Sequence, residues 1–174
     1  MDLMFISAQA IGLIALFFSL KAYLQNSKEK YIINSIITAI FNSIHYLLLN
    51  AYTGLFVKLI ALLREFILYK KEKNKKYDKI ILFIFIIILY ILAGIFTFNN
   101  NIINLFPIIS ASSYFGSEWF GSILTIKIVG LITTVLWLVY NIMVISISGS
   151  IYNIVTIIVL IYSIKNNKKI VKKI

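Results

Sequence analysis

Seven apolar stretches run along this chain, and the segments that gather its lysines alternate with loops that carry none. Segments 21–30, 70–79 and 165–174 hold three, six and five of the 17 Lys and Arg residues, whereas 50–53, 98–101 and 145–150 hold no charge. Cationic side chains are retained on the cytoplasmic side during insertion, so their distribution orients a polytopic protein. The alternation predicts an all-α integral membrane protein with seven transmembrane helices, N-terminus outside and C-terminus in the cytoplasm. A hydrocarbon core of ~30 Å takes about 20 apolar residues per helix. Seven such helices use up most of 174 residues and leave no soluble domain.

The spans read as 5–23, 31–49, 53–69, 80–98, 102–115, 122–144 and 146–164. The fourth has only Tyr90, Gly94 and Thr97 as breaks in its apolar run. A helix that is apolar all round has no aqueous face, so it reads as a linker rather than a lining element. Sliding the chain against itself by 95 residues puts Thr38 on Thr133, Gly54 on Gly149 and Lys70 on Lys165. The same shift overlays IHYLLLNAYTGL on VYNIMVISISGS without a gap. The organisation expected is therefore 3+1+3: a first three-helix repeat over 5–70, a basic loop and linker helix over 71–99, a second repeat over 100–166, and a basic tail over 167–174. Both repeats start outside, so they are parallel, and solute sites in such proteins lie between the repeats near the midplane.

Composition closes several other routes. The chain is 61% hydrophobic, against roughly 45–50% for soluble domains, with a mean hydropathy of +0.96. The net charge of +11 sits beside membrane spans, where anionic lipid headgroups at the cytoplasmic side are its natural partner; nucleic acid is not expected. No cysteine is present, which removes disulfides and thiolate chemistry. A single His and six acidic residues form no visible metal-ligand cluster, and no cofactor is implied. No nucleophile, base and orienting group stand together, so an enzyme is not expected. The start, with Asp2 in place of a positive segment, is unlike a cleavable signal.

Polar side chains inside the spans carry the functional question, because they are costly in hydrocarbon unless they face the bundle or a water-filled cavity. Asn34, Thr38, Asn42 and His45 recur at helical spacing on the second span. Gly130, Thr133, Trp137, Tyr140 and Asn141 do so on the sixth. The third carries Gly54, Lys58, Ala61 and Glu65, and the seventh carries Gly149, Asn153, Thr156 and Ser163. Each set lies on one face. Two readings stand: a central cavity lined by the second, third, sixth and seventh helices, or small and polar residues that let helices approach and hydrogen-bond. Lys58, five residues into its span, either faces the cavity or snorkels to the headgroups. Arg64 and Glu65 are adjacent, so they should point to different faces and pair poorly; Glu65 is a gating or coupling candidate. Lys127 should snorkel inward. Pro107, the one proline, should interrupt and kink the fifth span.

A 3+1+3 arrangement in under 200 residues resembles the SWEET sugar transporters and their relatives with PQ-loop repeats. Within that group, FNSIHYLLLNAYTGLFVKLIALLREFILYK is similar to the YgjV-type bacterial inner-membrane proteins, in a His-aromatic run, an A-Y-T-G turn and a helix ending in Arg. The resemblance implies a bacterial cytoplasmic membrane location. In the sugar-transporting relatives a Trp on the second helix of a repeat and an Asn on the third hold the sugar. Trp137 and Asn153 match that pair in the second repeat, while Asn42 and Lys58 occupy the equivalent positions in the first. The proline-glutamine pair of the PQ-loop group is absent, since 19–22 reads S-L-K-A.

The function expected is transport of a small polar solute, sugar-like or a small anion, by alternating access between the repeats. The substrate-binding set is Trp137, Asn153, Asn42, His45, Lys58 and Asn141, and Pro107 joins Glu65 as a gating candidate. No mid-membrane carboxylate stands out for ion coupling, so a uniporter is expected. The alternative is a non-transporting accessory or interaction subunit whose polar stripes serve packing; a homo-oligomer is left open. Cysteines at Asn99 and Lys75 test the orientation: Asn99→Cys should react with an impermeant thiol reagent from outside, and Lys75→Cys only once the inner face is opened. Opposite labelling sinks the N-out topology.

Overall fold

The computed structural model describes residues 3–171, with side chains described over 3–165; the basic tail predicted from 167 onward therefore lies outside the described side chains. The described residues form seven α-helices: α1 (Leu3–Tyr23), α2 (Lys28–Leu48), α3 (Tyr52–Lys73), α4 (Ile80–Thr97), α5 (Leu105–Phe120), α6 (Ile123–Met143) and α7 (Ile147–Val171). Single 3₁₀ turns, Lys75–Tyr77 and Ile102–Asn104, precede α4 and α5. Five helices (α1, α2, α4, α6, and α7 as far as Lys165) are long and apolar enough to cross a membrane by themselves. Of the other two, α3 carries Lys58, Arg64 and Glu65, and α5 has 16 residues. At 1.5 Å per residue α5 is about 24 Å long, short of a ~30 Å core.

Six helices close a ring. α1 packs on α2 and α7, α2 on α3, α3 on α5, α5 on α6, and α6 on α7. α4 stands outside it against α3 and α5. Its inward stripe is Ile86, Tyr90, Ala93, Gly94 and Thr97, and Ile81, Ile84, Ile88, Ile91 and Ile95 on its other faces are exposed. That large apolar exterior suits lipid rather than water. α1 explains its own placement: Ala8, Gly12, Ala15, Ser19 and Ala22 are buried at steps of four and three residues. Small side chains at that spacing let backbones approach closely, and a Cβ on Gly12 would run into Ser148 and His45.

Several boundaries differ from expectation. α3 runs to Lys73 rather than 69, so Arg64 and Glu65 lie more than two turns from its end. α5 starts at Leu105 and ends at Phe120, because Gly116 points into open space and does not break the helix. Gly121 ends it, and Ser122 caps α6 by accepting from the Thr125 N–H at 3.3 Å. Pro107 consequently falls in the first turn of α5, where its missing N–H has no intrahelical acceptor to lose. It is buried packing at a helix start, not a kink or an interruption.

The α2–α3 and α6–α7 turns are the same object 95 residues apart. Ala51 N–H donates to Tyr46 C=O and Asn50 N–H to Leu47 C=O, while Ser146 N–H donates to Asn141 C=O and Ile145 N–H to Ile142 C=O. This is the Schellman pattern, whose pivotal residue takes the left-handed conformation. Asn50 (φ 54°) and Ile145 (φ 55°) hold that position. Asn tolerates it, but a β-branched residue there is a steric outlier. Ile145 is 69% exposed, so its side chain offsets little of the strain through packing. Ile145→Asn should raise stability by about 1–2 kcal/mol, read as a higher unfolding midpoint in detergent, and Asn50→Ile should lower it.

Candidate functional site

The ring encloses a cavity of about 100 Å³. It runs from the α2–α3 and α6–α7 turns toward the lysine-rich end of the bundle. All six ring helices contribute to it, including Ser19 and Ala22 of α1 and Ala111 and Tyr114 of α5. The four helices expected from the polar stripes are therefore too few. The sequence singles out α5 only for Pro107 as a gating candidate; what the helix brings to the cavity is Ala111 and Tyr114.

At the turn end, polar side chains tie helices across the ring. His45 Nδ1 lies 2.7 Å from Ala8 C=O on α1, and its Nε2 lies 2.8 Å from Ser146 Oγ at the start of α7. Tyr46 O–H donates to Asn141 Oδ1 at 2.8 Å, and Gly54 N–H donates to Tyr140 Oη at 3.0 Å. The glycine at 54 is required here, since a Cβ would sit 2.8 Å from the Tyr46 ring. His45 and Asn141 thus line the cavity with hydrogen-bonding capacity already engaged. Thr38, Thr133 and Thr134 bond to carbonyls of their own helices, which spends their hydroxyls on local packing.

The middle of the cavity is less committed. Lys58 Nζ stands 4.0 Å above the centroid of the Trp137 ring, within cation–π range. The indole in turn stacks on Tyr46 at 5.8 Å. Lys58 is therefore a cavity residue here rather than a snorkelling one. Asn42 and Asn153 line the same space. Asn153 is 2% exposed, and its Nδ2 has no hydrogen-bond partner among the described residues.

The floor is a buried ionic cluster that the sequence reading did not anticipate. Arg64 NH2 lies 2.5 Å from Glu65 Oε1, and Arg64 Nε lies 3.1 Å from Glu118 Oε2 on α5. Tyr31 O–H reaches Glu118 Oε1 at 3.0 Å and contacts Tyr114 Oη, and Arg64 donates to Tyr90 Oη of α4 at 3.4 Å. Adjacent residues were expected to diverge; the long guanidinium instead folds back across the helix surface to Glu65. Glu65, the gating candidate, and Glu118, which had no assigned role, are both buried, at 2% and 1% exposed. Glu118 carried one signal: an acid with no basic residue between Lys79 and Lys127 to balance it locally. Lys127, expected to snorkel, is 1% exposed. Among the described residues no group of His, Cys, Asp and Glu is arranged to hold a metal ion.

Residues 6–169 match the Imp-YgjV family, described as bacterial inner membrane protein. The chain belongs to the Imp-YgjV family. That span includes all or most of every helix of the ring, so the cavity and its ionic floor lie within the Imp-YgjV match rather than in an appendage. A multi-pass inner-membrane protein agrees with the apolar exterior of the bundle. Neither a curated protein nor a solved structure matches the chain.

Removing one partner of a buried ion pair strands the other charge and costs about 3–5 kcal/mol. Arg64→Met leaves two buried carboxylates together and should destabilise by that amount in a detergent unfolding titration. Adding Glu118→Gln should recover part of the loss, because the stranded charge is gone. Equal stability of Arg64→Met and wild type would remove the ionic floor as a structural element.

Proposed function

We propose that this protein is a seven-span transporter that moves a small polar solute by alternating access between α1–α3 and α5–α7. The observation that carries the reading is convergence: Trp137, Asn153, Asn42, His45, Lys58 and Asn141, drawn from four helices, line one cavity between the two triplets. A bundle built only for packing would fill this space with apolar side chains. The recurrence of the α2–α3 turn at α6–α7 supports reading the triplets as parallel repeats of the SWEET-like kind. The ion pair from Arg64 on α3 to Glu118 on α5 joins the triplets at the lysine-rich end. In this reading it is the closed cytoplasmic gate, with Glu65 as its second anchor. Both buried carboxylates are held by Arg64, which fits uniport better than ion coupling.

A non-transporting accessory protein is the second reading. It is favoured by the hydrogen bonds that engage His45, Tyr46, Asn141 and Tyr140 across the ring. Uptake into proteoliposomes, with sugars, carboxylates, nucleosides and vitamins offered in turn, separates the two. Trp137→Ala should lower uptake of the accepted solute about tenfold through the lost aromatic face, while Ile95→Ala on the lipid side of α4 should leave it unchanged. A folded protein that takes up none of these solutes would support the accessory reading.

A further inference from the structure

We propose that the middle of the cavity is a binding site for a small monovalent anion of about the size of acetate, with Lys58 and Asn153 as its principal donors. The inference rests on the transport reading for its biological sense and on the geometry for its chemistry. Two cations face the cavity from α3, and they are treated differently. Arg64 is held by Glu65 and Glu118. Lys58 has no carboxylate within ion-pair distance among the described residues; its contact is the face of Trp137 at 4.0 Å. A π face fixes an ammonium in place without cancelling its charge, whereas a carboxylate neutralises it. The positive charge at this level is therefore left to be met by something that enters the cavity.

The second donor is Asn153, the residue 95 positions after Lys58, and both line the same cavity. Its Nδ2 is a buried amide donor without an acceptor, and an unmade buried hydrogen bond carries a free-energy cost that a ligand acceptor removes. Trp137 offers one further N–H and no acceptor. The cavity's middle thus joins an ammonium to amide and indole N–H donors, and its carboxylates lie a level below it on the guanidinium. That arrangement suits a carboxylate group better than a polyol, which brings as many donors as acceptors. Size agrees. An apolar cavity of about 150 Å³ accommodates a benzene ring, so about 100 Å³ takes a solute of about four heavy atoms in this conformation, and a hexose is several times too large.

The test uses the purified full-length protein in detergent, with thermal unfolding followed in acetate and in acetamide at constant ionic strength. The two probes have the same shape and differ in charge. A ligand that binds only the folded state raises the midpoint in proportion to its saturation. Acetate should stabilise the wild type and acetamide should not. Lys58→Met should weaken acetate binding by roughly tenfold to a hundredfold, and Asn153→Leu should weaken it by about tenfold. Equal effects of acetate and acetamide on wild type, or undiminished acetate binding in both variants, overturn the proposal. Should Lys58→Met fail to fold, the wild-type contrast and Asn153→Leu decide it alone. Proteoliposome uptake keeps the two claims apart: acetate binding without uptake defeats transport and leaves the anion site standing. Glucose uptake with no response to acetate does the reverse.

Discussion

Arg64 sits inside a helix bundle and is only 6% exposed, where an unpaired charge would not be tolerated. Its neutralisation organises the lower half of the molecule. Glu65 comes from the same helix, Glu118 from α5, and Tyr90 from α4. Tyr31 of α2 then closes on Glu118. Four helices are held by one cation, and α4, otherwise a lipid-facing rod, owes part of its position to a single phenol. The cavity above exists because this floor spans the gap that apolar side chains would otherwise fill.

Much of the fold was legible in advance. The seven apolar stretches became seven helices: five by length and hydropathy alone, α3 and α5 with the support of their neighbours in the bundle. The 95-residue shift, weak as sequence identity, reappears as one turn built twice. The boundaries were less readable. The fifth span reads as ending at 115 but α5 runs on to Phe120, and Pro107 looked like a break but lies where a helix has donors to spare. The boundary placed at 115 left Glu118 in a supposed loop. A carboxylate's partner cannot be read from its own helix when that partner arrives from another element.

The site divides along the same line. Residues chosen for helical spacing do converge, because spacing fixes a face and the ring decides what that face meets. Spacing cannot say which polar groups remain free. His45 and Asn141 are satisfied across the ring, and Thr38 and Thr133 by their own helices. Asn153 and Lys58 are not committed in that way. The distinction between lining a cavity and offering it a bond appears only once every donor has been assigned an acceptor.

The contact between Tyr46 and Asn141 has a further consequence. These positions are separated by 95 residues, so each is the other's counterpart, and they touch. Two separate copies of either half, associating about a twofold axis, would bring identical side chains to this point: phenol against phenol, or amide against amide. Joined in one polypeptide, the halves are free to differ here, and a directional donor–acceptor pair replaces a self-complementary one. Such a bond makes the pairing heterotypic. It favours assembly of one half with the other over either half with itself, and gives the pairing a left and a right hand.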